Sequence, residues 1–291
     1  MTTLAAVPHR GRFGRVLKWA LIALSIIVAG SVTAAVGARF VQSQSPDRNL
    51  SSADRSLAGE EDFNGPAGAP PNTHYFDYDV GGGGWGNHEK QVYTRAAGNA
   101  RLSGDGNLII EADRDGTGYS SARLVTRDKV AFTTGLLEAR IKMPQGNGLH
   151  PAFWLLGSNI NTVGYPLCGE IDVIELIDSG AMYHNAIHGP LQSDPANQWQ
   201  QSHDGDASSN LADGFHTYQV YREPDLIQIG IDGKKVGEYT RSSIPADARW
   251  VLDSPMFVIL NIAVGGSWPK PVDASTEFPA TMLVDWIRFW T

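Results

Sequence analysis

From about residue 107 onward the chain is a succession of short apolar or alternating runs parted by turn residues. They are NLIIEA from Asn107, GLLEARIKM from Gly135, EIDVIELI from Glu170, HTYQVYR from His216, LIQIGIDG from Leu226, MFVILNIAV from Met256 and MLVDWIRFW from Met282. Each has a strand's length, and alternation places every second side chain on one face of a sheet. None sustains the 3.6-residue period of an amphipathic helix. Asp232-Gly233, between LIQIGI and KKVGEYT, predicts a two-residue hairpin, because a type I′ turn needs positive φ at both central positions. Many strands punctuated by Gly and Pro predict an all-β domain over residues 60–291, two sheets packed as a sandwich or jelly roll.

The first 38 residues follow a different rule. Trp19–Ala38 carries no charge over twenty residues and follows the basic segment HRGRFGRVLK. Such a run is long enough to span a bilayer as a helix, and positive charge stays on the cytoplasmic side. Residues 1–38 are therefore expected to be a signal peptide or a signal anchor, with small residues at Val36-Gly37-Ala38 suited to cleavage. The body is expected to be secreted, or membrane-anchored with its folded domain outside the cytoplasm. Residues 39–59, rich in Ser, Gln, Asp and Arg and without apolar periodicity, are expected to be a flexible linker.

Charge narrows the partners. The whole chain has 23 basic against 31 acidic residues, but four of the basic ones precede Trp19, so from Arg39 onward 19 stand against the same 31, a net −12. Nucleic-acid affinity is built largely from Lys and Arg contacts to phosphate, which this body does not favour. Membrane contact is expected only through residues 1–38. Cys168 is the single cysteine, so no internal disulfide staples the fold, and a thiol in an apolar strand is expected to be inert packing.

The run from Glu170 holds three acids, Glu170, Asp172 and Glu175, among residues otherwise apolar enough for a buried strand. Glu170 and Asp172 share a face, whereas Glu175 at i+5 points the other way in a regular strand. A bulge in which Val173 and Ile174 together oppose one residue of the neighbouring strand returns Glu175 to the acidic face. Three carboxylates then line one cleft and raise one another's pKa, so that one can stay protonated as an acid while another stays ionised. That is equipment for cleaving a glycosidic bond. A calcium site or a solvated strand face would also gather acids, but here the apolar residues between them imply one dry face and one acidic face.

Gly169–Glu175 (GEIDVIE) resembles the bulged E-x-D-x-x-E motif of glycoside hydrolase family 16, in its laminarinase-like, endo-β-1,3-glucanase branch. In the same order GWGNHE from Gly84, SARL from Ser121, PAFWLLG from Pro151, IHGP from Ile187, LNIAVGG from Leu260 and Trp268-Pro269 resemble that branch's landmarks, over about 230 residues. The resemblance implies a concanavalin A-like β-jelly-roll with a concave substrate cleft, and a retaining mechanism acting within β-1,3-linked or mixed β-1,3/1,4 glucan chains. It implies Glu170 as nucleophile, Glu175 as acid/base and Asp172 as the assisting carboxylate. No cofactor is expected for catalysis, and a monomer is expected.

The resemblance also assigns Trp85, Asn87, Arg123, Trp154, His188 and Trp268 to substrate binding. Physically, indoles offer flat faces to the C–H side of sugar rings, while amide, guanidinium and imidazole groups bind hydroxyls. Asp285 resembles the side-chain ligand of a structural calcium, with a surface ion pair as the alternative. Two positions depart from the branch, His150 and Tyr165, where Trp is usual, so the sugar subsites there are expected to differ. A transglycosylase remodelling an envelope polysaccharide, or a non-catalytic carbohydrate-binding jelly roll, would share the same fold.

Overall fold

The computed structural model describes residues 47–291; the expected signal or anchor segment, residues 1–38, lies outside the described residues. In chain order the strands are β1 (Leu57–Glu61), β2 (Asp77–Asp79), β3 (Gln91–Tyr93), β4 (Ala100–Leu102), β5 (Leu108–Asp115) and β6 (Gly118–Ser121). They continue with β7 (Arg123–Val125), β8 (Gly135–Lys142), β9 (Leu149–Gly157), β10 (Glu170–Ile177), β11 (Ser179–Pro190) and β12 (Gln198–Asp206). The last are β13 (His216–Glu223), β14 (Leu226–Ile231), β15 (Lys234–Thr240), β16 (Met256–Val264) and β17 (Ala280–Trp290). One sheet runs β12-β11-β10-β9-β16-β7-β2, and the other β15-β14-β13-β8-β17-β5-β6-β3 with β1 added to β17 and β4 to β5.

All seven runs expected to be strands fall in strands. Asp232 and Gly233 both have positive φ, 51° and 76°, and join β14 to β15 as expected. Among the described residues, helix is confined to α1 (Ile160–Val163) and a 3-10 turn at Arg48–Leu50.

The seven-stranded sheet shows how one strand serves two environments. In β16 every residue is buried. Met256, Val258, Leu260, Ile262 and Val264 face the main core between the sheets, while Phe257 and Ile259 join a smaller cluster with Val125, Leu156 and Cys168 on the opposite face. In β9, Leu149, Phe153 and Leu155 enter the main core. Their neighbours His150, Ala152, Trp154 and Leu156 line a cleft of about 710 Å³ on the other side.

The expected linker needs a correction, because from Arg48 the chain is attached to the body. Leu50 is fully buried, and its carbonyl accepts a hydrogen bond from Gln219 Nε2 at 2.7 Å. Asn49 donates to Gln228 at 3.0 Å, and β1 pairs with β17. A single large apolar residue and a charged edge strand give no periodicity to read, since backbone and side-chain hydrogen bonds do the docking.

Candidate active site

Strand β10 is preceded by Gly169, whose φ of +76° favours glycine and whose hypothetical Cβ would lie 2.9 Å from Leu252. On the β9 side the register runs Asp172 opposite Trp154 and then Ile174 opposite Phe153, so Val173 is the extra residue of a bulge. The β11 side shows the same slip, with Asp172 opposite Ala186 and Glu175 opposite His184. Val173 and Ile174 are both buried in the main core. Glu170, Asp172 and Glu175 therefore all line the cleft, as the motif predicted.

Histidines tie the carboxylates together. His188 Nε2 is 2.8 Å from Asp172 Oδ2 and 3.7 Å from Glu170 Oε1. The donor atoms of these three residues lie within 4.8 Å of one another. On the far side of the cluster His150 Nε2 lies 2.7 Å from Glu175 Oε1. His150 belongs to β9 and was expected only to alter a sugar subsite; the structure puts it against a carboxylate of the motif.

Burial and mutual repulsion set the proton distribution. Burial, reinforced by the neighbouring Asp172, pushes Glu170 up to about 8. Burial and the charge of Glu175 also push Asp172 well above the usual carboxylate range. Burial acts on Glu175 in the same sense, but the hydrogen bond and charge of His150 outweigh it and hold this carboxyl below its ordinary value. His150 is correspondingly raised: burial works against its charged form, and Glu175 overcomes that. Cys168 is raised to about 11 by burial, which keeps the thiol protonated and inert.

Aromatic groups build the walls. The Arg123 guanidinium is stacked between two indoles, 4.8 Å from the Trp85 ring centre and 4.6 Å from that of Trp154. Trp154 donates to Asn261 at 2.7 Å, and Asn261 accepts no such help from sequence neighbours, since all others in its strand are apolar. Trp268 is 49% exposed at the rim, with the His184 and His150 rings edge-on at 4.8 and 5.7 Å. Asn87 accepts from the Ser267 N–H through both its backbone and side-chain oxygens, which fixes the loop carrying Trp268. All six residues expected to bind substrate line this one cleft.

A family model described as Glycosyl hydrolases family 16 matches residues 87–288. The chain belongs to glycosyl hydrolase family 16. This family 16 protein is 37% identical over 234 residues to a beta-glucanase of Rhodothermus marinus, covering 76% of this chain and 80% of that one. It is 31% identical over 240 residues to glucan endo-1,3-beta-glucosidase A1 of Niallia circulans, covering 75% of this chain but only 34% of that longer protein. Its fold is similar to the catalytic domain of an endo-1,3-beta-glucanase (laminarinase) from Thermotoga petrophila RKU-1, with a TM-score of 0.72, 31% identity, and 82% and 98% of the two chains covered. The family 16 protein is a glycoside hydrolase with the all-β jelly-roll sandwich of these relatives.

Asp285 stands apart from the cleft, at a bulge in β17 between Val284 and Trp286. Its carboxylate is engaged by the Arg140 guanidinium. That is the surface ion pair named as the alternative to a calcium ligand. Residues around the cleft that the sequence reading did not name include Gln200, which lines it, and three that bond to its side chains. Asn261 was visible as the lone polar residue in MFVILNIAV; Asp79, 3.4 Å from Arg123 Nε, and Gln198, which accepts from the Tyr165 hydroxyl, carry no local pattern.

Proposed function

We propose that this glycoside hydrolase is a retaining endo-glucanase that cuts β-1,3-linked or mixed β-1,3/1,4 glucan. The observation that carries the reading is the β10 bulge, which gathers three carboxylates in a cleft walled by Trp85, Trp154 and Trp268. The activities of the similar glucanases support the substrate class. In this reading Glu170 attacks the anomeric carbon while Glu175 gives its proton to the departing glycosidic oxygen, so the C–O bond breaks as the glycosyl–Glu170 ester forms. Water then attacks the anomeric carbon, Glu175 takes its proton, and the bond to Glu170 breaks so that Glu170 leaves as a carboxylate.

Burial raises Glu170 while His150 lowers Glu175, the reverse of the order the first step uses. Both arrangements contain the same number of protons and are tautomers of one coupled state. Positive charge developing at the anomeric carbon lies beside Glu170 and stabilises its carboxylate, which favours the reactive tautomer. Asp172, held by His188, separates the two glutamates and sets the repulsion between them. Export of the body beyond the cytoplasm by residues 1–38 belongs to the same proposal, since a glucan polymer is an extracellular substrate.

The test is reducing-sugar release from laminarin, lichenan and agarose, with Glu170→Gln as control. Release of oligosaccharides from laminarin, reduced by at least roughly a thousandfold in the variant, is the expected outcome. Turnover by Glu170→Gln comparable to that of the parent would refute the assignment.

A further inference from the structure

The His150 ring is 9% exposed, and Nε2 is its one hydrogen-bonding atom with a partner, Glu175 Oε1 at 2.7 Å. Its Nδ1 is buried without a partner among the described residues. The only hydrogen bond of the imidazole among the described residues therefore goes to Glu175. Its other close neighbour is the Trp268 indole, edge-on at 5.7 Å. Glu175 Oε2 makes no hydrogen bond among the described residues, so one oxygen is anchored by His150 while Glu175 itself lines the cleft.

We infer that His150 is a positioning residue for the acid/base, a fixed N–H donor that orients Glu175 and stabilises its carboxylate as the proton leaves Oε2. The inference rests on the reading of Glu175 as the acid/base. Nε2 carries a proton in the imidazolium and in the neutral tautomer that this contact selects, so the donor persists through the cycle. A hydrogen bond to the charged form makes Glu175 the stronger acid, which matters most for a sugar leaving group that cannot depart unprotonated. The charged groups facing His150 are Glu175 from β10, Glu89 from the segment before β3, and Asp178 from the turn after β10; all three favour its cationic form. His184 approaches from β11 on the same indole, 4.8 Å from its ring centre.

The experiment compares two substrates that differ in their need for an acid: laminarin, and a dinitrophenyl β-laminaribioside whose phenolate departs unaided. With the full-length protein, His150→Phe should lower kcat/KM, which reports the acid-dependent first step, on laminarin by roughly tenfold or more and on the aryl glycoside by less than about threefold, and His150→Gln, which keeps an N–H donor, should recover part of the loss. Nuclear magnetic resonance of the imidazole should show the His150 pKa falling in Glu175→Gln. Glu175→Ala separates the two claims. If it shows the selective loss and His150→Phe lowers both substrates equally, or leaves both unchanged, the role of His150 is overturned. An unchanged His150 titration in Glu175→Gln overturns it as well. If Glu175→Ala itself is unselective, the acid/base reading falls and the inference falls with it.

Discussion

Each cleft side chain has a job that follows from what it touches. Arg123 is held flat between two indoles and braced by Asp79, so its guanidinium edge, rather than its face, is left to meet sugar hydroxyls. Trp268 differs from Trp154 in being half exposed, with a rim position and no hydrogen bond from its indole nitrogen. Trp268→Ala is expected to weaken laminari-oligosaccharide binding by roughly 1–3 kcal/mol, the burial of one indole against a sugar face. Titration calorimetry on Glu170→Gln with and without the second substitution measures this, and equal affinities would assign Trp268 to packing. These residue types were legible because an indole or a carboxylate in a strand run is conspicuous. Asp79 and Gln198 were not, because each acquires its partner from a segment more than thirty residues away.

At the scale of one element, β10 decides the chemistry. Its apolar residues Ile171, Val173, Ile174 and Leu176 all reach the main core, which a regular strand with period two cannot arrange. The bulge at Val173 reconciles the pattern with the pleat. Deleting Val173 leaves Glu170-Ile171-Asp172-Ile174-Glu175, whose regular alternation keeps all three acids on the cleft face without a bulge, so glucan cleavage should survive the deletion, and Val173→Ala should keep turnover at a stability cost of roughly 1–3 kcal/mol. A folded but inactive deletion variant would mean that the bulge also fixes the spacing between the acids. The bulge itself was readable from the spacing of the acids. Strand β12, QWQQSHDGD, was not: its residues alternate between buried or half-buried and exposed, but most are polar and lie at the sheet edge, so no apolar rhythm marks them.

For the whole molecule, the cleft is a stability liability. Glu170 has an ordinary carboxyl pKa in the unfolded chain and about 8 in the fold. Between those values the unfolded state is ionised and the folded state holds a proton, so stability falls as pH rises from about 4.5 to 8. Glu170→Gln cannot ionise and escapes this loss. Its melting temperature should exceed the parent's near pH 7, with the gap closing toward pH 4.5, at on the order of 2–4 °C per kcal/mol for a protein of this size. Calorimetry across that range checks the sign; a gap that is constant with pH would place the proton elsewhere.

Taken alone, the sequence determined the strand class, the hairpin at Asp232-Gly233, the acidic face with its bulge and the family, because each is written in residues within about ten positions of one another or in motifs kept in order. Tertiary structure alone decided that Arg48–Glu61 joins the body, that Arg140 neutralises Asp285, and that His150 rests on Glu175. In each of these the partners come from different strands or segments, and only the register of one strand against another fixes which atoms meet. Local propensity sets the period of a strand; it does not set which neighbour the strand will face.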